Sequence, residues 1–227
     1  MVVSLSEALF NLALGLSFSL ITIKLVFSYL LFSKYRRDKQ NKLVLAAALF
    51  FLALGINRLM MVLFDYFFTE FEPTSFQEFA TYWKFSNIVL WTGYLSMIII
   101  FEKAIFKKKT RYLISIVYII FIAISLLIPD FTTSQTFSAL PTALAIMFIP
   151  LSYLYLVKYS EVRKKALAIF IGYLIFFMGY LLLAEGIVNS IISSSPGNPL
   201  NIRYTIHIFS IGMRFGGISF LYYGYLS

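Results

Sequence analysis

The stretch L-V-L-A-A-A-L-F-F-L-A-L-G-I-N-R-L-M-M-V-L-F-D-Y-F-F, residues 43–68, exceeds the roughly 20 apolar residues that carry a helix across a bilayer, and its few polar members stand isolated within it. A backbone in lipid finds no hydrogen-bond partner outside itself, so such a run is either a helix or a strand of a closed barrel. Barrel strands alternate apolar and polar residues, and this run does not, so a helix is predicted. Its flanks differ in sign. Before it lie Lys34, Arg36, Arg37, Lys39 and Lys42 against Asp38, and after it Glu70, Glu72 and Glu78. Basic loops mark the cytoplasmic side.

Six more stretches qualify, at 8–32, 83–106, 112–128, 138–157, 166–192 and 202–226; the fifth of the seven carries Pro141 and Pro150. The expectation is an all-α, polytopic membrane protein: one transmembrane domain over residues 1–227, built as a seven-transmembrane-helix bundle. The separators agree in sign. Lys107, Lys108, Lys109 and Arg111 follow the third helix, and Lys158, Arg163, Lys164 and Lys165 against Glu161 follow the fifth; the opposite side carries Glu7 and Asp130 beside the three glutamates above. The N-terminus is then outside, the C-terminus cytoplasmic, and the protein a multi-pass component of the cell membrane. The first stretch is too long for a signal peptide and lacks a basic leader, so it reads as a retained helix.

Composition agrees. Hydrophobic residues make up 60% of the chain and charged ones 13%, and the mean hydropathy is +0.86, more than a soluble domain carries. With no cysteine and one histidine, neither a disulfide nor a usual zinc or copper ligand set can be built. The net charge of +9 resides mainly in the cytoplasmic loops. It is first a topology signal and second an attraction for anionic lipid headgroups, about 1 kcal/mol per basic residue near the surface. Nothing points to nucleic acid.

No H-E-x-x-H, G-x-S-x-G, P-loop or aspartate-rich motif occurs, so catalysis is not indicated. Arginine ladders and re-entrant filters are also missing, and the halves do not align as repeats. Helix count and orientation resemble microbial rhodopsins, but residues 202–226 contain no lysine, so no covalent retinal is expected and no cofactor is assigned.

The informative residues are ionisable side chains at membrane depth, which cost about 3 kcal/mol each unless they turn inward or find partners. Helix two carries Asn57, Arg58 and Asp65, the last two seven apart on one face. Helix three adds Asn87, Trp91 and Tyr94. Helix six carries Glu185 and Asn189, and helix seven aligns Arg203, His207 and Arg214 in one stripe. Together with Lys84, the basic groups outnumber the acids, which suits an anionic ligand held by forked guanidinium donors. The alternative is an internal network pairing Glu185 with Arg214 or His207, and Asp65 with Arg58. Lys24 shares a face with Ser17 and Ser28, and its stem can reach the cytoplasmic interface. Gly172, Gly179 and Gly186, and separately Gly212 and Gly216, mark helix-packing seams, within one chain or in a homo-oligomer.

The segments L-A-L-G-I-N-R-L-M-M-V-L-F-D-Y-F (52–67) and F-E-K-A-I-F-K-K-K-T-R-Y (101–112) resemble uncharacterised archaeal multi-spanning membrane proteins. That resemblance implies about seven helices and brings no activity with it. More distantly, the chain is similar to seven-helix sensor modules that precede a kinase or cyclase. The sequence ends at Ser227, directly after the last helix, so any output on that analogy belongs to a separate signalling partner. The leading expectation is a non-enzymatic, receptor-like bundle. It binds a small anionic or amphipathic ligand in an outward cavity between helices two, three, six and seven, using Arg58, Asp65, Asn87, Trp91, Glu185, Arg203, His207 and Arg214. A transporter or ion path using the same charges, and a purely structural subunit, are the alternatives.

Overall fold

Eight α-helices and no strand make up residues 4–106 and 111–227, the part that the computed structural model describes. The basic run Lys107, Lys108 and Lys109 lies outside the described residues. α1 (Leu5–Arg37) starts at an N-cap, with the Ser4 side chain accepting from the Glu7 N–H at 3.2 Å, and ends among Lys34, Arg36 and Arg37. Acid at its first turn and base at its last suit the helix dipole. α2 (Lys42–Leu63) continues into a π turn, Phe64–Phe68, which contains Asp65. There follow α3 (Ala80–Ala104), α4 (Leu113–Leu127), α5 (Phe131–Leu156), α6 (Arg163–Leu181), α7 (Glu185–Ser194) and α8 (Pro199–Leu226).

Among the described residues α1, α2 with its π turn, α3, α5 and α6 are long and apolar enough to cross a membrane, and α4 is a shorter apolar helix. The molecule is thus a helical, membrane-embedded type. Its exterior is apolar, with Phe18, Val26, Ile120, Met147 and Phe209 exposed, while Lys24, Arg58, Glu102 and Arg214 are buried. That is the reverse of a soluble protein. α8 is 28 residues long, and its ionisable residues Arg203, His207 and Arg214 all turn inward.

The helices close into a ring: α1 packs on α2 and α8, α8 on α6, α6 on α5, α5 on α3 and α4, and α3 on α2. α2 is the most buried span. Its Phe50 and Phe51 meet Tyr173, Phe176 and Phe177 of α6 at ring separations of 5.9–6.5 Å, so this part of the interior is a packed aromatic core. At that end Lys34 donates to the Tyr225 carbonyl at 2.6 Å and Lys165 to that of Ser227 at 2.5 Å, placing basic groups on the last carbonyls of α8.

Three boundaries and seams differ from the sequence reading. The fifth helix begins at Phe131 rather than 138 and runs unbroken through Pro141 and Pro150. In membrane helices neighbouring helices and hydroxyls compensate for the lost N–H. The sixth stretch is two helices: after Leu181 the Leu183 and Ala184 N–H groups bond three residues back at 3.0 Å, and Ala184 turns extended before α7 starts. Gly186 consequently leaves the seam and has open space around its Cα. The seam itself joins Gly172 and Gly179 of α6 to Gly217 and Gly224 of α8, not to Gly212 or Gly216. A Cβ on Gly172 would come within 3.0 Å of the Gly217 carbonyl, and one on Gly179 within 2.7 Å of that of Ser210. Gly212 meets nothing, and Gly216 only Ile175 at 3.9 Å, because that pair lies to one side of the line through Ser210, Gly217 and Gly224 at seven-residue spacing.

Candidate functional site

Beyond the aromatic core the interior holds a cavity of about 490 Å³, a volume usual for small-molecule pockets. α2 brings Asn57 and Arg58 to it, the π turn Asp65, α3 Asn87, α7 Glu185, and α8 Arg203, His207 and Arg214. Seven of the eight side chains expected from the sequence therefore share one wall system. Trp91 does not line it. It is buried behind α5, its indole N–H donating at 3.4 Å to the hydroxyl of Thr142, which does. A fifth wall, α5, escaped the sequence reading: it offers no charge, and its contribution includes Gln135, Thr136, Ser138, Ala139, Thr142 and Ala143.

Arg58 is tied down on three sides. One terminal nitrogen donates to Ser17 Oγ at 2.8 Å and faces His207 Nδ1 at 3.5 Å, and the other lies 3.8 Å from Asp65. A guanidinium can only donate, so His207 accepts through Nδ1 and carries its proton on Nε2. Asn57 is anchored separately, donating to the Ser86 carbonyl at 3.0 Å and hydroxyl at 2.8 Å. Asn87 bonds back to Trp83 O at 2.9 Å. Arg203 forms a two-point pair with Glu185, at 2.8 and 3.1 Å. The sequence reading paired Glu185 with Arg214 or His207; the break before α7 turns Glu185 to Arg203 instead, while Asp65 does pair with Arg58.

Arg214 is fully buried and has no carboxylate within ion-pair distance among the described residues. Its Nε donates to Ser210 O at 3.2 Å, one terminal nitrogen to Ser210 Oγ, and its plane lies 4.7 Å from the Tyr180 ring centre. Its other terminal nitrogen, Nη1, has no hydrogen-bond partner, and neither does Arg58 Nε. Buried donors are ordinarily satisfied, and leaving one unmade costs about 1–3 kcal/mol. Behind Tyr180 sits Lys24, which does not reach the interface: it is buried, with Nζ 3.2 Å from the Tyr180 hydroxyl and 3.4 Å from the Leu54 carbonyl. Lys84, another of the expected outer cations, is also absent from the cavity wall, since it caps α4 through the carbonyls of Leu126, at 3.3 Å, and Ile128. Three guanidinium groups thus face two carboxylates across the cavity, with a further ammonium behind it.

The end of the cavity away from the aromatic core is roofed by Phe71, Phe76, Trp83 and Phe131, all nearly buried. Phe71 lies 5.2 Å from His207 and follows Glu70 in left-handed backbone, with φ 61° and 48°. No protein-family model, no curated protein and no solved structure matches this chain.

Proposed function

We propose that the protein is a seven-span, N-terminus-out membrane receptor or sensor module that binds a small anionic or amphipathic ligand in this cavity, without catalysis. The seven spans are α1, α2, α3, α4, α5, α6 with α7 as its outer continuation, and α8. The observation that carries the reading is Arg214: a fully buried guanidinium on the cavity wall, one donor unused, in a site with more cations than carboxylates. An anion would supply the missing acceptor. An open conduction path needs a passage through to the far face, whereas the cavity does not extend past Tyr180: beyond it the interior is packed with the buried side chains of Lys24, Phe50, Tyr173 and Phe177. Arg58, Arg214 and His207 contact the ligand, and Asp65 and Glu185 hold Arg58 and Arg203 in position. By the analogy with sensor modules, occupancy would be passed to a signalling output.

The chain's two tryptophans, Trp83 on the wall and Trp91 behind Thr142, make intrinsic fluorescence a reporter of occupancy. Protein in phosphatidylcholine nanodiscs is titrated with inorganic phosphate and with dodecyl phosphate. At least one should change the emission saturably, and Arg214→Gln should weaken that binding tenfold or more while circular dichroism keeps its helical signal. If neither probe binds, or Arg214→Gln binds as wild type, the reading is wrong.

A further inference from the structure

The cavity has a closed roof and an open side. Its roof aromatics interlock, with Phe131 5.1 Å from Trp83 and 5.4 Å from Phe76, and are at most 9% exposed. Its flank is different. The lining residues Ala139 and Ala143 on α5, and Leu181 and Ala184 at the end of α6, are exposed although they border the cavity. α7 packs on α8, and no extended seam joins it to α5. Ala143 stands 12 residues into α5, so at 1.5 Å per residue the gap reaches about 18 Å along the helix. At that depth a spanning helix is surrounded by hydrocarbon, not water.

Resting on the anion-site reading above, we propose that the ligand is a single-chain anionic amphiphile that enters sideways from the bilayer. Its phosphate or carboxylate head lies against Arg58 and Arg214, and its alkyl chain leaves through the slot between α5 and the α6–α7 break. A soluble anion fits the floor but not the route, since the aqueous end is roofed by rings and the open side faces lipid. The small residues of α5 are what make the slot: larger side chains at Ala139 and Ala143 would fill it. The break at residues 182–184 serves the same end, because it ends α6 early and leaves Ala184 and Gly186 beside the opening.

The test compares dodecyl phosphate, inorganic phosphate and dodecanol on the full chain in phosphatidylcholine nanodiscs, read by tryptophan fluorescence. Dodecyl phosphate should bind at least tenfold more tightly than either of the others, which carry only its head or only its tail. Ala143→Trp should cut the affinity for dodecyl phosphate at least tenfold more than that for inorganic phosphate. Ala184→Trp, on the opposite lip, should do the same, and since both alanines are exposed at least one variant is expected to fold. Inorganic phosphate binding as tightly as dodecyl phosphate would overturn the lateral amphiphile while leaving the anion site standing. Equal binding of dodecanol and dodecyl phosphate, or indifference to both slot variants, would overturn it as mere partition into lipid. If no probe binds, the anion site itself falls and the amphiphile with it.

Discussion

Arg203 and Arg214 belong to the same stripe of α8, yet their surroundings are opposite. Arg203 is matched by a carboxylate at two points, whereas Arg214 has a hydroxyl, a carbonyl and a ring. Neutralising Glu185 therefore separates a binding role from a structural one. In Glu185→Gln the amide oxygen still accepts from Arg203, so the side chain stays near its place, but the cavity gains one net positive charge. Affinity for dodecyl phosphate should rise by about tenfold, corresponding to ~1.4 kcal/mol, while the melting temperature falls because a charge-assisted bond worth about 1.5–3 kcal/mol is weakened. A purely structural network gives the loss of stability with no gain in binding. The stripe Arg203, His207 and Arg214 was legible in the sequence because spacings of four and seven fix a helix face. The partner of Glu185 was not, since its register was carried across a helix break that a continuous apolar run conceals. Lys24 turns inward against the sequence expectation for a related reason: a long stem says how far an ammonium can reach, not which way the bundle turns it.

Single helices in this bundle depend on charges donated by their neighbours. α4 is only 15 residues long, and both of its ends are capped from α3. The Glu102 carboxylate accepts the N–H groups of Ile114 at 3.1 Å and Ser115 at 3.0 Å at the start of α4, and Lys84 donates to the last carbonyls. Acid meets the positive end of the helix dipole and base the negative end. The two residues are 18 apart (102 − 84), five turns at 3.6 residues per turn, so they share a face of α3. That spacing was visible in the sequence, but the sign of Lys84 groups it with the outer cations, and Glu102 taken alone says nothing of the helix it caps. Glu102→Ala should lower stability by about 1.5–3 kcal/mol, since it leaves two N–H groups of α4 without that acceptor in a lipid-facing helix. Hydrogen exchange should place the change in the first turn of α4, and the response of the tryptophan emission to dodecyl phosphate should match that of the wild type. Fast exchange spread evenly over all helices would contradict a local cap. The glycine seam shows the same division: of the three glycines at spacing seven, Gly172 and Gly179 meet α8 while Gly186 lies beyond the helix break, and on α8 the seam uses Gly217 and Gly224 rather than Gly212 and Gly216, because small residues on several faces cannot be ranked without the partner helix.

Taken whole, the molecule has two unlike ends. Lys34 and Lys165 gather on the C-terminal carbonyls of α8, while the aromatic roof and the acid-bearing α2–α3 connection lie at the opposite end, over the cavity. The all-helical, membrane-embedded class followed from the length and apolarity of the runs alone, because lipid leaves the backbone so few solutions. Orientation rests on a different physical rule, the preference of basic loops for the cytoplasm, and it decides from which leaflet a lateral ligand would come. The chain contains no cysteine, so single introduced thiols report sidedness without background. Gln40 and Glu161 are exposed at the basic end, and Thr74 and Ser194 are exposed in or beside the connections at the roofed end. In intact cells a membrane-impermeant maleimide should label Thr74→Cys and Ser194→Cys, and should reach Gln40→Cys and Glu161→Cys only after permeabilisation. The reverse pattern would turn the bundle over, placing the slot in the inner leaflet and the cavity on the side of the cytoplasm. Labelling of Thr74→Cys and Ser194→Cys from opposite sides would break the seven-span count itself, since between them lie α3, α4, α5 and α6, an even number of crossings.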